Sequence, residues 1–210
     1  GAQPEEVYYN NGMSAWGKRQ QWQKAIQLLL DMRLAGVPPN SRSYKAAISA
    51  CEKAGQWEQS LSLLTEMREA GFKADAIAFN GAISACGKGG QWERALSLLV
   101  EMQDEGTDVA PTLVSYNSAI AACGKAGQWE RAAALLDDMR SAGIAPDVVS
   151  FNSLLVACAE VGRWERALSL LGDMQSAGIQ PVVASIQATM RALVAASQLD
   201  AGFELLRMSE

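Results

Sequence analysis

Residues Gly90–Leu99 read GQWERALSLL, and the chain repeats this phrase along its length. Gly55–Leu64 is GQWEQSLSLL, Gly127–Leu136 is GQWERAAALL, Gly162–Leu171 is GRWERALSLL, and Gln20–Leu29 is the looser QQWQKAIQLL. The tryptophans that anchor the copies, Trp22, Trp57, Trp92, Trp129 and Trp164, stand 35, 35, 37 and 35 residues apart, and Leu199 takes a sixth place. The two extra residues fall in Thr107–Pro111, read as a loop, where insertion costs little. Self-similarity at a fixed period marks a chain that grows by stacking small units, none of which can bury its apolar face alone. The units run 6–40, 41–75, 76–112, 113–147 and 148–182, with a cut-short sixth at 183–210.

Each unit reads as two helices. In the second, Trp92, Ala95, Leu96, Leu99 and Met102 fall on one face at helical spacing, which predicts a buried stripe. Glycine follows that helix at Gly36, Gly71, Gly106, Gly143 and Gly178, and an apolar residue comes next in four of the five, as in Gly143-Ile144. That is the pattern of a left-handed C-cap. Pro39, Pro111, Pro146 and Pro181 then forbid continuation. The first helix carries its own stripe, Val148, Phe151, Leu155 and Cys158 in the best copy, and ends near Gly162. Asn40, Asp75, Thr112 and Asp147 stand where first helices open, and all are good N-caps. The expectation is an all-α fold, a solenoid of stacked helix-turn-helix hairpins: five full repeats and a partial sixth, in a single array over 1–210.

Composition excludes several chemistries. The 210 residues contain no histidine, which removes Ser-His-Asp and Cys-His catalysis and every histidine-ligated metal site. The four cysteines, Cys51, Cys86, Cys123 and Cys158, are spaced at the repeat period and not at metal-ligand spacing. Helices pack ~8–10 Å apart, so equivalent cysteines in neighbouring repeats lie beyond the ~7 Å reach of a disulfide and read as small buried hydrophobes. No cofactor, metal or catalytic activity is expected of this chain. No stretch approaches the ~18 apolar residues of a membrane helix, so no membrane insertion is expected either. There is no leader pattern, and the start at Gly1 is that of a processed or partial chain.

Among helical hairpin repeats, the tetratricopeptide type has ~34 residues and a W-x2-L-G-x2-Y signature, which is missing here because Glu-Arg-Ala-Leu follows Trp92. The period of 35, the Tyr/Phe-Asn pair early in each unit (VVSFN, Val148–Asn152) and the ending SAGIAPD (Ser141–Asp147) point elsewhere. On these residues the chain resembles the pentatricopeptide repeat proteins, from about Glu6 to Arg207. The resemblance implies a right-handed α-solenoid that binds single-stranded RNA, one base per repeat. It also implies a role in RNA stability, processing or translation in a mitochondrion or plastid. In that family two side chains read the base: the one after the first-helix aromatic, and the last residue of the repeat. Carried over, the pairs are Asn10 with Asn40, Lys45 with Asp75, Asn80 with Thr112, Asn117 with Asp147, and Asn152 with Val182, and Gln187 begins a sixth. The residues that sandwich bases are Val7, Ile77, Val114 and Val149, with Arg42 and Ala184 as departures. The family's phosphate contacts map to Lys18, Lys53, Lys88 and Lys125. Some relatives carry a deaminase domain, which needs H-x-E and C-x-x-C; neither motif occurs here.

The residues support parts of this on their own chemistry. Asn is a poor helix former, yet Asn10, Asn80, Asn117 and Asn152 sit about one turn inside a helix in four repeats. An amide offers donors and an acceptor to a pyrimidine edge, whereas the Asp147 carboxylate only accepts and suits the N3–H of uracil. Family pattern likewise links Asn with Asp to uracil. Lys45 and Asp75 are expected to form an ion pair and leave repeat 2 without a preference. Val182 offers no hydrogen bond. The expected tract is pyrimidine, any base, pyrimidine, U, pyrimidine, running 5′ to 3′ along the chain.

The four lysines have two readings, as phosphate contacts or as cations favoured at a helix C-terminus. The first-helix windows hold seven Lys/Arg against three Asp/Glu, while the rest of the chain holds 11 against 20, for a total of −5. A mildly positive RNA face on an acidic particle follows if the first helices line it. The aromatics Tyr44, Phe79, Tyr116 and Phe151 read as core and not as stacking platforms. The acidic balance and the irregular pairs leave an alternative from another class, a scaffold holding a protein partner within a ribonucleoprotein.

Overall fold

The computed structural model describes residues 4–104 and 109–198, and among these the regular structure is entirely helical. Gly106, Glu105, Leu199 and Arg207 lie outside the described residues, as does the rest of 199–210. The chain divides into two compact units, Gly1–Pro111 and Thr112–Glu210. The first unit holds α1 (Pro4–Lys18), α2 (Trp22–Leu34), α3 (Ser41–Lys53), α4 (Trp57–Glu69), α5 (Ala76–Lys88) and α6 (Trp92–Gln103). The second holds α7 (Leu113–Lys125), α8 (Trp129–Ser141), α9 (Val148–Glu160), α10 (Trp164–Ser176) and α11 (Val183–Ala195). Within each unit the odd-numbered helices pack on one another in sequence, α1 on α3 on α5 and α7 on α9 on α11. Each even-numbered helix packs on its own partner, and within the units α2, α4, α8 and α10 also pack on the first helix of the next repeat.

Both helix ends follow from single residues. Four second helices close on glycines at φ +73° to +82°: Gly36, Gly71, Gly143 and Gly178. The next residue then reaches back five positions: Val37 N–H to the Met32 carbonyl, Phe72 to Met67, Ile144 to Met139 and Ile179 to Met174, at 2.9–3.0 Å. This is the Schellman arrangement, and it places an apolar residue beside the buried methionine that ends each stripe. Four first helices open on side-chain caps. Asn40 accepts from the N–H groups of Arg42 and Ser43, Asp75 from Ala78, Thr112 from Ser115 and Asp147 from Ser150. In the turn between the two helices of a repeat, Gly55, Gly90, Gly127 and Gly162 take positive φ. Gln20 and Ser197 occupy the same place in the first and last repeats, at φ 57° and 58°, where a side chain costs about 1–2 kcal/mol.

The core matches the first-helix reading at Phe151, Leu155 and Cys158, leaves Val148 at the start of α9 half-buried, and corrects the second-helix reading. Tyr44, Phe79, Tyr116 and Phe151 are all 4% exposed or less, so they are packing residues. The second-helix stripe runs through Ala95, Leu98, Leu99 and Met102, not through Trp92 and Leu96, which are only half-buried. The reason is where the helix starts. Trp92 is its first residue, off the end of the face that the next three turns present. Trp57 lies against Gly89, where an added Cβ would run into its ring, and the Arg94 guanidinium covers it at 4.3 Å. The four cysteines are buried thiols, and burial pushes Cys51, Cys86 and Cys158 up to about 11, too high for a nucleophile at neutral pH. Among the described residues no helix is long and apolar enough to cross a membrane.

Candidate nucleic-acid interface

The helix caps and the first helices bring the sequence-derived pairs together in two repeats. In repeat 4, Asn117 Nδ2 donates to Asp147 Oδ1 at 3.0 Å, although 30 residues separate them. The cap fixes Asp147 at the start of α9, and α9 packs on α7, which carries Asn117 on its second turn. Burial works to raise the Asp147 carboxyl. Hydrogen bonds from the Ser150 N–H, the Asn117 amide, the Ser150 hydroxyl and the Val149 N–H outweigh it and hold the group below the ordinary carboxylate range. Asp147 is therefore a fixed anion and a pure acceptor.

Repeat 2 has the same geometry with different chemistry. Lys45 Nζ sits 2.8 Å from Asp75 Oδ2, the ion pair expected from the sequence. Asp75 is held below the ordinary range as well: burial opposes this, but hydrogen bonds from Lys45 and the Ala78 N–H and the lysine's charge prevail.

The remaining pairs are arranged differently. Asn10 is buried, 4% exposed, and its amide oxygen has no hydrogen-bond partner. Asn40 gives its amide to Glu6 Oε2 at 3.2 Å while its oxygen caps α3. In repeat 5 Asn152 Oδ1 accepts from the Ser185 hydroxyl at 2.6 Å, and Val182 opens α11 without a side-chain cap. Asn80 is half-buried on α5, and Thr112 caps α7 in the other unit.

The candidate sandwiching residues are on the surface. Val7, Ile77, Val114 and Val149 are 38, 66, 56 and 54% exposed, and Arg42 is exposed too. Each aliphatic lies three residues before Asn10, Asn80, Asn117 or Asn152, on the same helix face. Isolated exposed aliphatics are ordinary, but one at the same register beside an asparagine in four of the five full repeats is a patterned surface. Lys18, Lys53, Lys88 and Lys125 are the last residues of α1, α3, α5 and α7 and are exposed. Lys88 is engaged: its ammonium pairs with Glu52 Oε1 and the Glu52 carbonyl.

The sequence reading missed Glu6, Glu52, Ser150 and Ser185, each of which holds a candidate side chain from another helix. It also missed Arg33 and Arg68. Their guanidiniums bridge to Glu66 and Glu101 on the next second helix and cover the rings of Tyr44 and Phe79. The available signal was the repeat register, which places Ser43, Ser115, Ser150 and Ser185 at one position, with Tyr8 and Ala78 as the departures.

The sequence pattern of the PPR repeat family matches residues 4–53, 111–160 and 146–195, and those described as pentatricopeptide repeat domain and PPR repeat match 62–126 and 42–72. The chain belongs to the pentatricopeptide repeat family. Its fold matches the crystal structure of the pentatricopeptide repeat protein PPR10 from maize with a TM-score of 0.74 at 29% identity, over 98% of this chain and 29% of that one. PPR10 in complex with an 18-nt psaJ RNA element matches at 0.63 and 17% identity, over 99% of this chain and 40% of that one. The pentatricopeptide repeat domain of Arabidopsis thaliana protein-only RNase P 1 in complex with tRNA matches at 0.73 and 15% identity, over 90% of this chain and 98% of that domain. The chain thus spans well under half the length of the PPR10 chains it matches. No curated protein sequence matches it.

Proposed function

We propose that this chain is a non-catalytic, single-stranded-RNA-binding module that takes one base per repeat. The observation that carries this is repeat 4: an amide and an ionised carboxylate 3.0 Å apart, with exposed Val114 and Val149 in the same and the following first helix. An aliphatic on either side grips a base by its faces. The pair offers a donor and an acceptor to its edge, which suits the O4 and N3–H of uracil. The RNA-bound structures of PPR10 and of the RNase P domain support the same class of ligand. Under this reading repeat 4 reads U, repeats 1, 3 and 5 lean to pyrimidines, and repeat 2, closed by its ion pair, accepts any base. Lys18, Lys53 and Lys125 meet phosphates. By family resemblance the setting is RNA stability, processing or translation in a mitochondrion or plastid.

Titration with short single-stranded RNAs at two salt concentrations tests the proposal. A U-rich strand is expected to bind more tightly than a poly-A strand, with affinity falling as salt rises. Equal binding of poly-U and poly-A removes base reading. No binding of either at low salt removes RNA as the ligand and favours the scaffold reading, which the acidic net charge of −5 also suits.

A further inference from the structure

Resting on that reading, we infer that a serine one repeat downstream fixes which end of the reading amide faces the base. The two ends of an asparagine amide have nearly the same shape and opposite hydrogen-bonding character. An amide free to turn over offers a carbonyl to one base and an N–H to another, and discriminates poorly between them. In the second unit it is not free. The Ser150 hydroxyl lies 2.6 Å from Asn117 Oδ1, and the Ser185 hydroxyl lies 2.6 Å from Asn152 Oδ1. Ser150 Oγ is also 3.0 Å from Asp147 Oδ1, and a hydroxyl has one proton to give. Repeat 5 resolves the competition. Val182 stands in place of the carboxylate and offers no acceptor, yet the contact with the amide oxygen is just as short.

The serine's two ends do different work. Its oxygen accepts the N–H of the capping position, from Asp147 at 3.1 Å and from Val182 at 3.1 Å, and so starts the helix. Its proton points back to the preceding repeat and occupies the amide oxygen. The amide then presents Nδ2. One Asn117 proton goes to Asp147, and the other is left for the base. A donor and an acceptor side by side fit the O4 and N3–H of uracil. Cytosine brings a lone pair at N3 to the carboxylate and an amino group to Nδ2, and only the second mismatch is relieved if the amide turns over. Ser150 and Ser185 are thus positioning residues that act on the base through Asn117 and Asn152.

The sequence carries the same pattern. The third helical positions are Ser43, Ala78, Ser115, Ser150 and Ser185, and the preceding readers are Asn10, Lys45, Asn80, Asn117 and Asn152. The hydroxyl is missing in the one place where the reader has no oxygen to hold. In repeat 1 the Ser43 hydroxyl lies 3.2 Å from Asn40 Oδ1 instead, and the Asn10 oxygen is left without a partner. The first base is therefore expected to be read loosely.

The test compares the full chain with its Ser150→Ala, Ser150→Thr and Ser185→Ala variants against RNAs that differ only by U or C at the base facing repeat 4 or repeat 5. Wild type is expected to favour U at repeat 4 by about tenfold, the worth of one well-placed hydrogen bond. Ser150→Ala is expected to fall to about threefold at that base alone, because Asp147 still holds Nδ2 and still meets N3, and Ser150→Thr to keep the preference. Ser185→Ala is expected to lose selectivity at repeat 5 and leave repeat 4 unchanged. In the RNA-free protein the side-chain amide resonances of Asn117 are expected to shift in Ser150→Ala and to return in Ser150→Thr. An unchanged U-to-C ratio in a folded Ser150→Ala variant overturns the inference while the RNA-binding reading stands. If wild type binds neither RNA, that reading fails, and unmoved Asn117 amide resonances would independently show that the serine does not hold the amide.

Discussion

Repeats 2 and 4 use one backbone arrangement for two chemistries. In both, the last residue of the repeat is an aspartate that caps the next helix, and its carboxylate is met by the side chain 30 residues earlier. In repeat 4 that side chain is a neutral amide, which keeps a proton for a ligand after bonding the carboxylate. In repeat 2 it is an ammonium, which satisfies the carboxylate with a full charge 2.8 Å away. A base entering repeat 2 must displace a charged partner to reach Asp75, and gains at most one neutral hydrogen bond for it. The scaffold thus supplies position, and one residue decides whether the position is open or closed.

The largest expected effect comes from breaking the open pair. Asp147→Ala should weaken binding of RNA with U at the base facing repeat 4 by about thirtyfold, within the ~1–3 kcal/mol of a paired base contact. Asp75→Ala should change affinity by less than about twofold, since its carboxylate is already engaged. Fluorescence anisotropy with end-labelled RNA measures both, and equal losses would erase the distinction between the repeats. Both variants lose a helix cap, so thermal melts should show each destabilised by about 1 kcal/mol.

Converting the closed pair comes next. Lys45→Asn together with Ala78→Ser gives repeat 2 the full set of groups found in repeat 4. A U preference of about five- to tenfold should then arise at the base facing repeat 2. No gain would mean that the backbone positions differ in a way the hydrogen bonds do not reveal.

A smaller effect is expected along the lysines. The salt dependence of affinity should lose a slope of about 0.7 for each of Lys18→Ala, Lys53→Ala and Lys125→Ala. Lys88→Ala should lose less, because Glu52 already neutralises that ammonium. Affinity measured from low to high salt in each variant decides this.

The smallest effect is on stability with pH. Both aspartates are depressed, so each stabilises the fold above the ordinary carboxylate pKa of about 3.9 and loses that contribution as pH falls through its lower folded value. Melts from pH 6 down to about 2.5 should fall more steeply for wild type than for the two Asp→Ala variants. The half-exposed Lys45–Asp75 pair itself should contribute no more than about 1 kcal/mol, read as the difference between Lys45→Ala and wild type at neutral pH.

Much of this organisation was legible because the repeat displays each signal several times. Glycine after the second helix, a capping residue before the first and an aromatic on the first-helix stripe are local features, set within a few residues, and the structure places as read Gly36, Gly71, Gly143 and Gly178, the caps Asn40, Asp75, Thr112 and Asp147, and the buried Tyr44, Phe79, Tyr116 and Phe151. The Lys45–Asp75 pair was legible for the same reason, once the two positions were assigned to one site. The second-helix stripe was misplaced because a large apolar residue at the helix start fits the periodicity as well as a core residue does. Periodicity carries no information about where the helix begins to be covered. Glu6 on Asn40, Glu52 on Lys88 and Ser150 on Asn117 join residues 33 to 36 positions apart. No helical period links them; only the stacking distance between repeats does, and a pattern read along one helix is blind to it.

The residue that begins each first helix has to satisfy the backbone before it can address anything else. Asn, Asp, Thr and Ser can do so, which confines the letters available at that position to those whose side chains also start a helix. Rewriting the sequence preference of such a chain therefore alters how firmly it folds at the same stroke. The valine that opens α11 marks the one described repeat where that coupling has been given up.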